Sequence, residues 1–212
     1  MKLYIGNIDE IINNGKYRPF LKSAEKDDYV KNKWSKNNKR NKEIIASYIL
    51  IRSFVSKDNK ILFTDMKKPY ISGFSNFNIS HSDDMICLCT DEDYIGVDLQ
   101  KISEYRKRAA RAIFSEEEIK YIENAENKDG IFTLLWTIKE AYGKKLGDGL
   151  GKHLKKTNFL SIIEKTEQIC FEHNGSVLVC SYNNYYFYIS KIKNYYITVC
   201  SDKKDKLEII YL

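Results

Sequence analysis

The stretch GVDLQ, residues 96–100, carries an acid inside an apolar run: Asp98 stands between Val97 and Leu99. An ionised carboxylate among apolar neighbours is costly unless a cation or hydrogen bonds offset it. On a strand, alternation puts Gly96, Asp98 and Gln100 on one face. Further along, WTIKEAYGK reads as helix, with Trp136, Glu140 and Lys144 recurring every four residues on one side. A helix laid across the strand would bring Asp98 and Glu140 together. Two converging carboxylates repel unless a cation sits between them. Oxygen-only ligands suit Mg²⁺ or Mn²⁺, ions that usually hold a substrate phosphate as well. Lys144, one turn past Glu140, could then reach that phosphate or a leaving group. The plain alternative is an ordinary Glu140–Lys144 helix pair worth about 0.2–0.5 kcal/mol, with Asp98 capping a turn or paired with an arginine.

FNISHSDD, residues 77–84, offers more polar groups where a chain leaves a sheet. The hydroxyls and imidazole of Ser80, His81 and Ser82, with nearby backbone N–H groups, suit phosphate oxygens. A Ser–His nucleophile pair is the competing reading, but neighbours on a strand point to opposite faces, so Ser80 and His81 make a poor dyad. His153 and His173 lie far off in sequence and read as surface residues.

These residues need elements to hold them. KLYIGNI alternates as a first strand, and residues 17–31 read as a short helix with a loop. NKEIIASYILIRSFVSK has the spacing of a long, largely buried helix. ILFT reads as a strand, and KKPYISG, with a proline and a glycine, as a loop. FNIS, MICLCT and YIGVDLQ read as three strands, the last two joined by a hairpin at DED. Helices follow at EYRKRAARAIF, at SEEEIKYIENA with a Ser115/Glu118 capping signature, and at IFTLLWTIKEAYGKKLG, ended by the glycines of GDGLGK. From about residue 157 the chain reads as strand-rich: EQICF, SVLVCSY, NYYFYIS, NYYITVCS and LEIIYL. The order predicts two α+β halves, residues 1–95 and 96–212.

With 212 residues, 43% hydrophobic and 13% aromatic, the chain suits one medium domain or two small ones packed together. No apolar run is long enough to span a bilayer, and the N-terminus turns polar too soon for a signal peptide, so a cytoplasmic protein without membrane contact is expected. The five cysteines include no C-x-x-C pair. They read as reduced, partly buried thiols rather than a zinc site or disulfide framework. The net charge of +6 suits an anionic partner, and the basic residues gather at 26–42. A solvated surface explains that run equally well.

Four stretches in order, KKPY (67–70), FNISHS (77–82), GVDLQ (96–100) and FSEEE…LWTIKEAYGKKLGDGL (114–150), together resemble the 4′-phosphopantetheinyl transferase superfamily, specifically its Sfp-type members. The helix W-x-x-K-E-A is the most specific of them. The resemblance implies an α+β fold of two pseudo-twofold-related halves, with the active site in the cleft between them, and a monomer. It implies transfer of the phosphopantetheine arm of coenzyme A to a serine of an apo acyl or peptidyl carrier protein, Mg²⁺-dependent, releasing adenosine 3′,5′-bisphosphate.

By that resemblance Asp98 and Glu140 match metal-binding carboxylates, and Glu140 is also the candidate base for the serine proton. Lys144 matches the lysine on the phosphates that assists the leaving bisphosphate, and Lys139 is a second candidate phosphate contact. Ser80 and His81 match residues on the coenzyme A phosphates, with His81 at the 3′-phosphate. Lys68 and Pro69 match the loop on the adenine side. Carrier recognition is expected in residues 102–126 and 146–157, with Ile113 and Phe114 either meeting the carrier or packing in the core.

Two departures stand out. Many relatives have a second acid where this chain has Gln100, so the third metal position falls to the Gln100 amide oxygen or to water. Relatives often carry an arginine for the 3′-phosphate where ungapped matching places Glu43, leaving Arg40 or Lys42 to take that role. Competing readings are a metal-dependent phosphohydrolase using Asp98 and Glu140, and a nucleic-acid-binding module using residues 26–42. The second leaves the two carboxylates unexplained, so no nucleic-acid partner is expected.

Overall fold

The computed structural model describes residues 1–147, 149, 151–170 and 176–212; His173 and part of the expected 146–157 surface lie outside them, and the side chains of His153 and Cys170 are not described. Two compact units emerge, residues 1–94 with 206–212, and residues 95–205. The fold is α+β, as expected.

Unit 1 begins with β1 (Lys2–Asn7), which runs into α1 (Ile8–Asn13). The side chain of Asn7 caps that helix by accepting from the N–H groups of Asp9 and Glu10. Two short helices follow, α2 (Arg18–Ala24) and α3 (Asp28–Lys31), and then the long α4 (Asn38–Phe54). After α4 come β2 (Leu62–Phe63) and β3 (Pro69–Tyr70), a two-stranded hairpin. Residues 67–73, expected as a loop, thus contain half of this hairpin. Its turn places Lys67 at φ +60°, with the Lys67 N–H donating to Thr64 O at 2.8 Å. β4 (Asn76–Ser82) and β5 (Met85–Asp91) pair antiparallel across a turn at Asp83, which adopts φ +56°.

In unit 2, β6 (Gly96–Lys101) leads to α5 (Lys107–Ile113), α6 (Glu116–Asn124) and α7 (Lys128–Leu146). The expected capping box at α6 is complete: Ser115 Oγ accepts from the Glu118 N–H, and Glu118 accepts from the Ser115 N–H. Gly147, at φ +84°, ends α7 in the left-handed region that favours glycine. Then come α8 (Lys152–Lys156), α9 (Leu160–Cys170), β7 (Val177–Tyr182), β8 (Tyr185–Ile192) and β9 (Tyr195–Ser201). The last strand, β10 (Glu208–Tyr211), returns to unit 1 and pairs parallel with β1.

The sheets are ordered β10-β1-β5-β4 and β6-β9-β8-β7. Three further sequence expectations change. The DED hairpin does not form, because β5 pairs with β1 and β4 whereas β6 pairs with β9. Residues 160–170, expected to open the strand-rich region, form α9; Ile162 and Ile163 are buried and Glu164 and Lys165 exposed, the grouping of a helix face. Finally, residues 206–212 belong with unit 1 rather than with residues 96–205. The side chains of Cys87, Cys89, Cys180 and Cys200 are buried and outside any disulfide, and among the described residues no helix is long and apolar enough to cross a membrane.

The α7 helix packs on β6 and β9, and its Leu134, Leu135, Ile138 and Ala141 are all fully buried. Gly96 sets how closely they meet. A methyl at that position would run into the carbonyl oxygen of Ala141 in α7. Gly96→Ala should therefore lower stability by about 1–3 kcal/mol, the usual cost of overpacking, read as a reduced midpoint in urea. An unchanged midpoint would mean that α7 yields freely at this contact.

Candidate functional site

The close approach at Gly96 brings the Asp98 face of β6 under α7. Across the ladder, Asp98 is in register with Thr198 of β9, whose hydroxyl meets Thr137 of α7 at 2.9 Å. Asp98 is only 5% exposed. Its Oδ1 accepts from Lys144 Nζ at 2.7 Å, and the same ammonium donates to Val97 O at 3.0 Å. An ammonium thus already holds the buried acid from the helix side, a pairing that the sequence reading did not foresee. The partner of Asp98 is Lys144 rather than an arginine, and Lys144 reaches past Glu140 to the strand.

Glu140 lies one turn before Lys144 on the same helix and is partly buried. Burial pushes its carboxyl above the usual range; Lys144 pulls it down, and the Asp98 charge pushes it up again. Asp98 and Glu140 are therefore close enough to repel, which is the electrostatic condition that a bound cation relieves. Gln100, half-buried, follows on the Asp98 face. Among the described residues no three His, Cys, Asp or Glu side chains gather at one point. As ligands, Asp98, Glu140 and Gln100 would offer two carboxylates and an amide oxygen, hard donors that would suit Mg²⁺ or Mn²⁺ rather than a thiophilic metal.

Lys139 does not join this group. Its side chain is fully buried, and Nζ pairs with Glu118 at 2.7 Å. It also donates to the carbonyls of Leu154 (2.7 Å), Thr157 (2.8 Å) and Ile113 (3.2 Å). Every donor of the ammonium has a protein partner, so the expected phosphate contact is replaced by a structural one. Glu118 is likewise saturated, accepting from the Ser115 and Phe159 N–H groups. The signal was present in the sequence: Lys139 follows Leu135 by four and Phe132 by seven, on the buried side of α7.

In unit 1, β4 carries Ser80 buried and His81 half-exposed. The α4 helix brings Arg40 to His81: Nη1 lies 3.0 Å from His81 Nε2 and 3.0 Å from Glu43 Oε2. Glu43 Oε2 is in turn 3.5 Å from His81 Nδ1. Lys42 is paired instead with Asp9 at 2.7 Å on the exposed surface. Of the two basic candidates, Arg40 is the one beside the histidine.

Sequence reasoning overlooked Lys33. Its ammonium lies over the rings of Tyr29 (4.6 Å) and Phe63 (5.0 Å). Burial, and then the charge of Arg40, lower its pKa to about 8. A cation destabilised by a neighbouring cation is one that a bound anion would relieve. Membership in the basic run 26–42 was the only hint.

Lys68 and Pro69 line a cleft of about 550 Å³ together with Tyr70, Phe74 and Tyr94. Lys68 Nζ lies 5.8 Å from the centre of the Tyr94 ring. Three exposed aromatic side chains and an ammonium suit a flat heteroaromatic group. Ile113 and Phe114 are core residues, packed with Ile122 and Phe132 in unit 2. At and just before α5 the exposed charges are basic (Arg106, Lys107, Arg108 and Arg111), whereas α6 exposes Glu116 and Glu117.

The sequence profile of the 4′-phosphopantetheinyl transferase superfamily matches residues 94–200. The chain belongs to that superfamily. The match takes in Asp98, Gln100, Glu140 and Lys144, whereas the Arg40–His81 cluster lies outside it. Among similar proteins, the 4′-phosphopantetheinyl transferase gsp of Aneurinibacillus migulanus is 28% identical over 144 residues, 66% of this chain and 60% of that protein. The 4′-phosphopantetheinyl transferase Sfp of Bacillus subtilis strain 168 is 26% identical over 148 residues, 65% of each chain. An L-aminoadipate-semialdehyde dehydrogenase-phosphopantetheinyl transferase of Saccharomyces cerevisiae is 35% identical over 81 residues, 36% of this chain and 30% of that one. The chain thus spans less than two thirds of the length of each relative. These likenesses agree with the Sfp-type expectation within the superfamily.

Proposed function

We propose that the protein transfers the phosphopantetheine arm of coenzyme A to a serine of an apo carrier protein. The observation that carries this reading is the Asp98–Glu140–Lys144 group, set on a strand and a helix inside the segment that matches the superfamily. Asp98 and Glu140, with Gln100 or water as a third donor, would hold Mg²⁺ or Mn²⁺. Such an ion, when bound, supplies positive charge to the pyrophosphate oxygens.

Glu140 takes the proton from the carrier serine, directly or through a water. The serine Oγ forms a bond to the phosphorus that bears pantetheine. The pyrophosphate P–O bond breaks, and adenosine 3′,5′-bisphosphate leaves with the bonding pair. Lys144 stabilises charge on the phosphate oxygens during that shift. His81 and Arg40 take the 3′-phosphate, with Ser80 a further contact on the phosphates. The cleft at Lys68, Pro69 and Tyr94 takes the adenine. The basic residues around α5 suit an acidic carrier surface. A monomer in the cytoplasm completes the proposal.

The test mixes the protein with coenzyme A, Mg²⁺ and several apo carrier domains and weighs the carriers. Gain of one phosphopantetheine is expected. Coenzyme A consumed with every carrier left unmodified would point to a hydrolase instead. In the same assay Gln100→Glu should lower the Mg²⁺ concentration for half-maximal rate, since an anionic ligand binds the ion more tightly than an amide. An unchanged titration would place water at that position.

A further inference from the structure

Glu43 is an anomaly in a cluster otherwise suited to anions. It reaches both Arg40 and His81 from α4, and its side chain is only 12% exposed. We propose that Glu43 makes His81 take up a proton when a phosphate monoester binds beside Arg40, so that the anion and the proton bind together. This rests on the reading that the cluster receives the 3′-phosphate of coenzyme A.

The geometry fixes the starting state. A guanidinium only donates, so His81 Nε2, 3.0 Å from Arg40 Nη1, must be the acceptor. The ring is then neutral, with its hydrogen on Nδ1 toward Glu43 Oε2. In that state the ring has no N–H left for an anion, and Arg40 Nη1 is committed to His81 and Glu43. A phosphate dianion needs donors. Adding a proton at Nε2 supplies one and breaks the contact with Arg40, because two donors cannot face each other. The guanidinium then turns to the anion. The Nδ1–H remains on Glu43, whose carboxylate and the phosphate flank the imidazolium from opposite sides and stabilise its charge.

Other charged groups on these elements have partners of their own. Lys39 of α4 is paired with Asp83 of the β4–β5 turn at 2.9 Å. Asp84 in the same turn accepts from the Asn7 amide at 3.1 Å. Lys33, whose pKa is lowered to about 8 by burial and then by the charge of Arg40, must be separated from His81 in any test.

Titration calorimetry of adenosine 3′,5′-bisphosphate at pH 7.0, in two buffers of different ionisation enthalpy, reads the proton count. At that pH Lys33 is mostly charged. The phosphate monoester, with a second pKa of about 6, can only release protons beside cations, so net uptake comes from the protein. About half a proton or more should be taken up per bisphosphate bound, and little for 5′-AMP, which lacks the 3′-phosphate. Glu43→Gln should remove most of the uptake, whereas Lys33→Gln should retain it. Bisphosphate that binds more tightly than 5′-AMP with buffer-independent enthalpy would overturn the proton coupling and leave the site reading intact. Uptake unchanged in Glu43→Gln, or lost in Lys33→Gln, would overturn the role of Glu43. Equal affinity for the two nucleotides would overturn the 3′-phosphate site itself, and this inference with it.

Discussion

Glu140→Gln is expected to slow phosphopantetheine transfer by about 10²–10⁴-fold, the range for loss of a general base, with an unchanged circular dichroism spectrum. The substitution keeps the shape and removes both the negative charge and the proton acceptor. Asp98→Ala should lose at least as much. It removes the carboxylate on β6 that the Lys144 ammonium of α7 grips at 2.7 Å. The two losses should not add, because both variants disable one cation-binding group. Single-turnover transfer to an apo carrier measures them. Near-normal rates in either variant would show that the carboxylate pair is not the reacting centre.

The second large effect concerns stability. Glu118→Ala should cost about 3–5 kcal/mol, because it strands the buried Lys139 ammonium without its counter-charge. The N–H groups of Ser115 and Phe159 would also lose their acceptor. For a chain of this size the melting temperature should fall by roughly 10 °C. The double variant Glu118→Met with Lys139→Met should be more stable than Glu118→Ala, since removing both charges leaves neither uncompensated. A Glu118→Ala protein that melts with the wild type would mean the pair is energetically silent. The location matters beyond stability: Lys139 ties the end of α5 and residues 154–157 to α7, immediately before Glu140.

The site in unit 2 was the most legible part of the sequence. Period two put Asp98 and Gln100 on one face, and period four put Glu140 and Lys144 on another; both periods are local and survive any tertiary arrangement. Which sheet a strand joins is not local. MICLCT and YIGVDLQ are adjacent in sequence with a turn-like DED between them, yet each finds its hydrogen-bond partner elsewhere. The helix at 160–170 was hidden by isoleucines, which suit strand and buried helix face alike. Lys139 was misread because its charge drew attention away from its phase, which it shares with Leu135 and Phe132. The Arg40–Glu43–His81 cluster joins a helix to a strand some forty residues apart, and no spacing rule links them.

The parallel pairing of β10 with β1 imposes an order on biosynthesis. Residues 95–205 contain every strand of the second sheet, and they leave the ribosome before β10 does. Unit 1 therefore waits for its last strand while unit 2 is free to fold. The loop that β10 closes on β1 spans roughly 200 residues, and a folded intervening unit shortens the effective length of chain that must be ordered. A chain interrupted before residue 206 would leave the outer edge of β1 without its neighbour. That edge, in the run Leu3–Tyr4–Ile5, is an apolar template for pairing with another nascent chain.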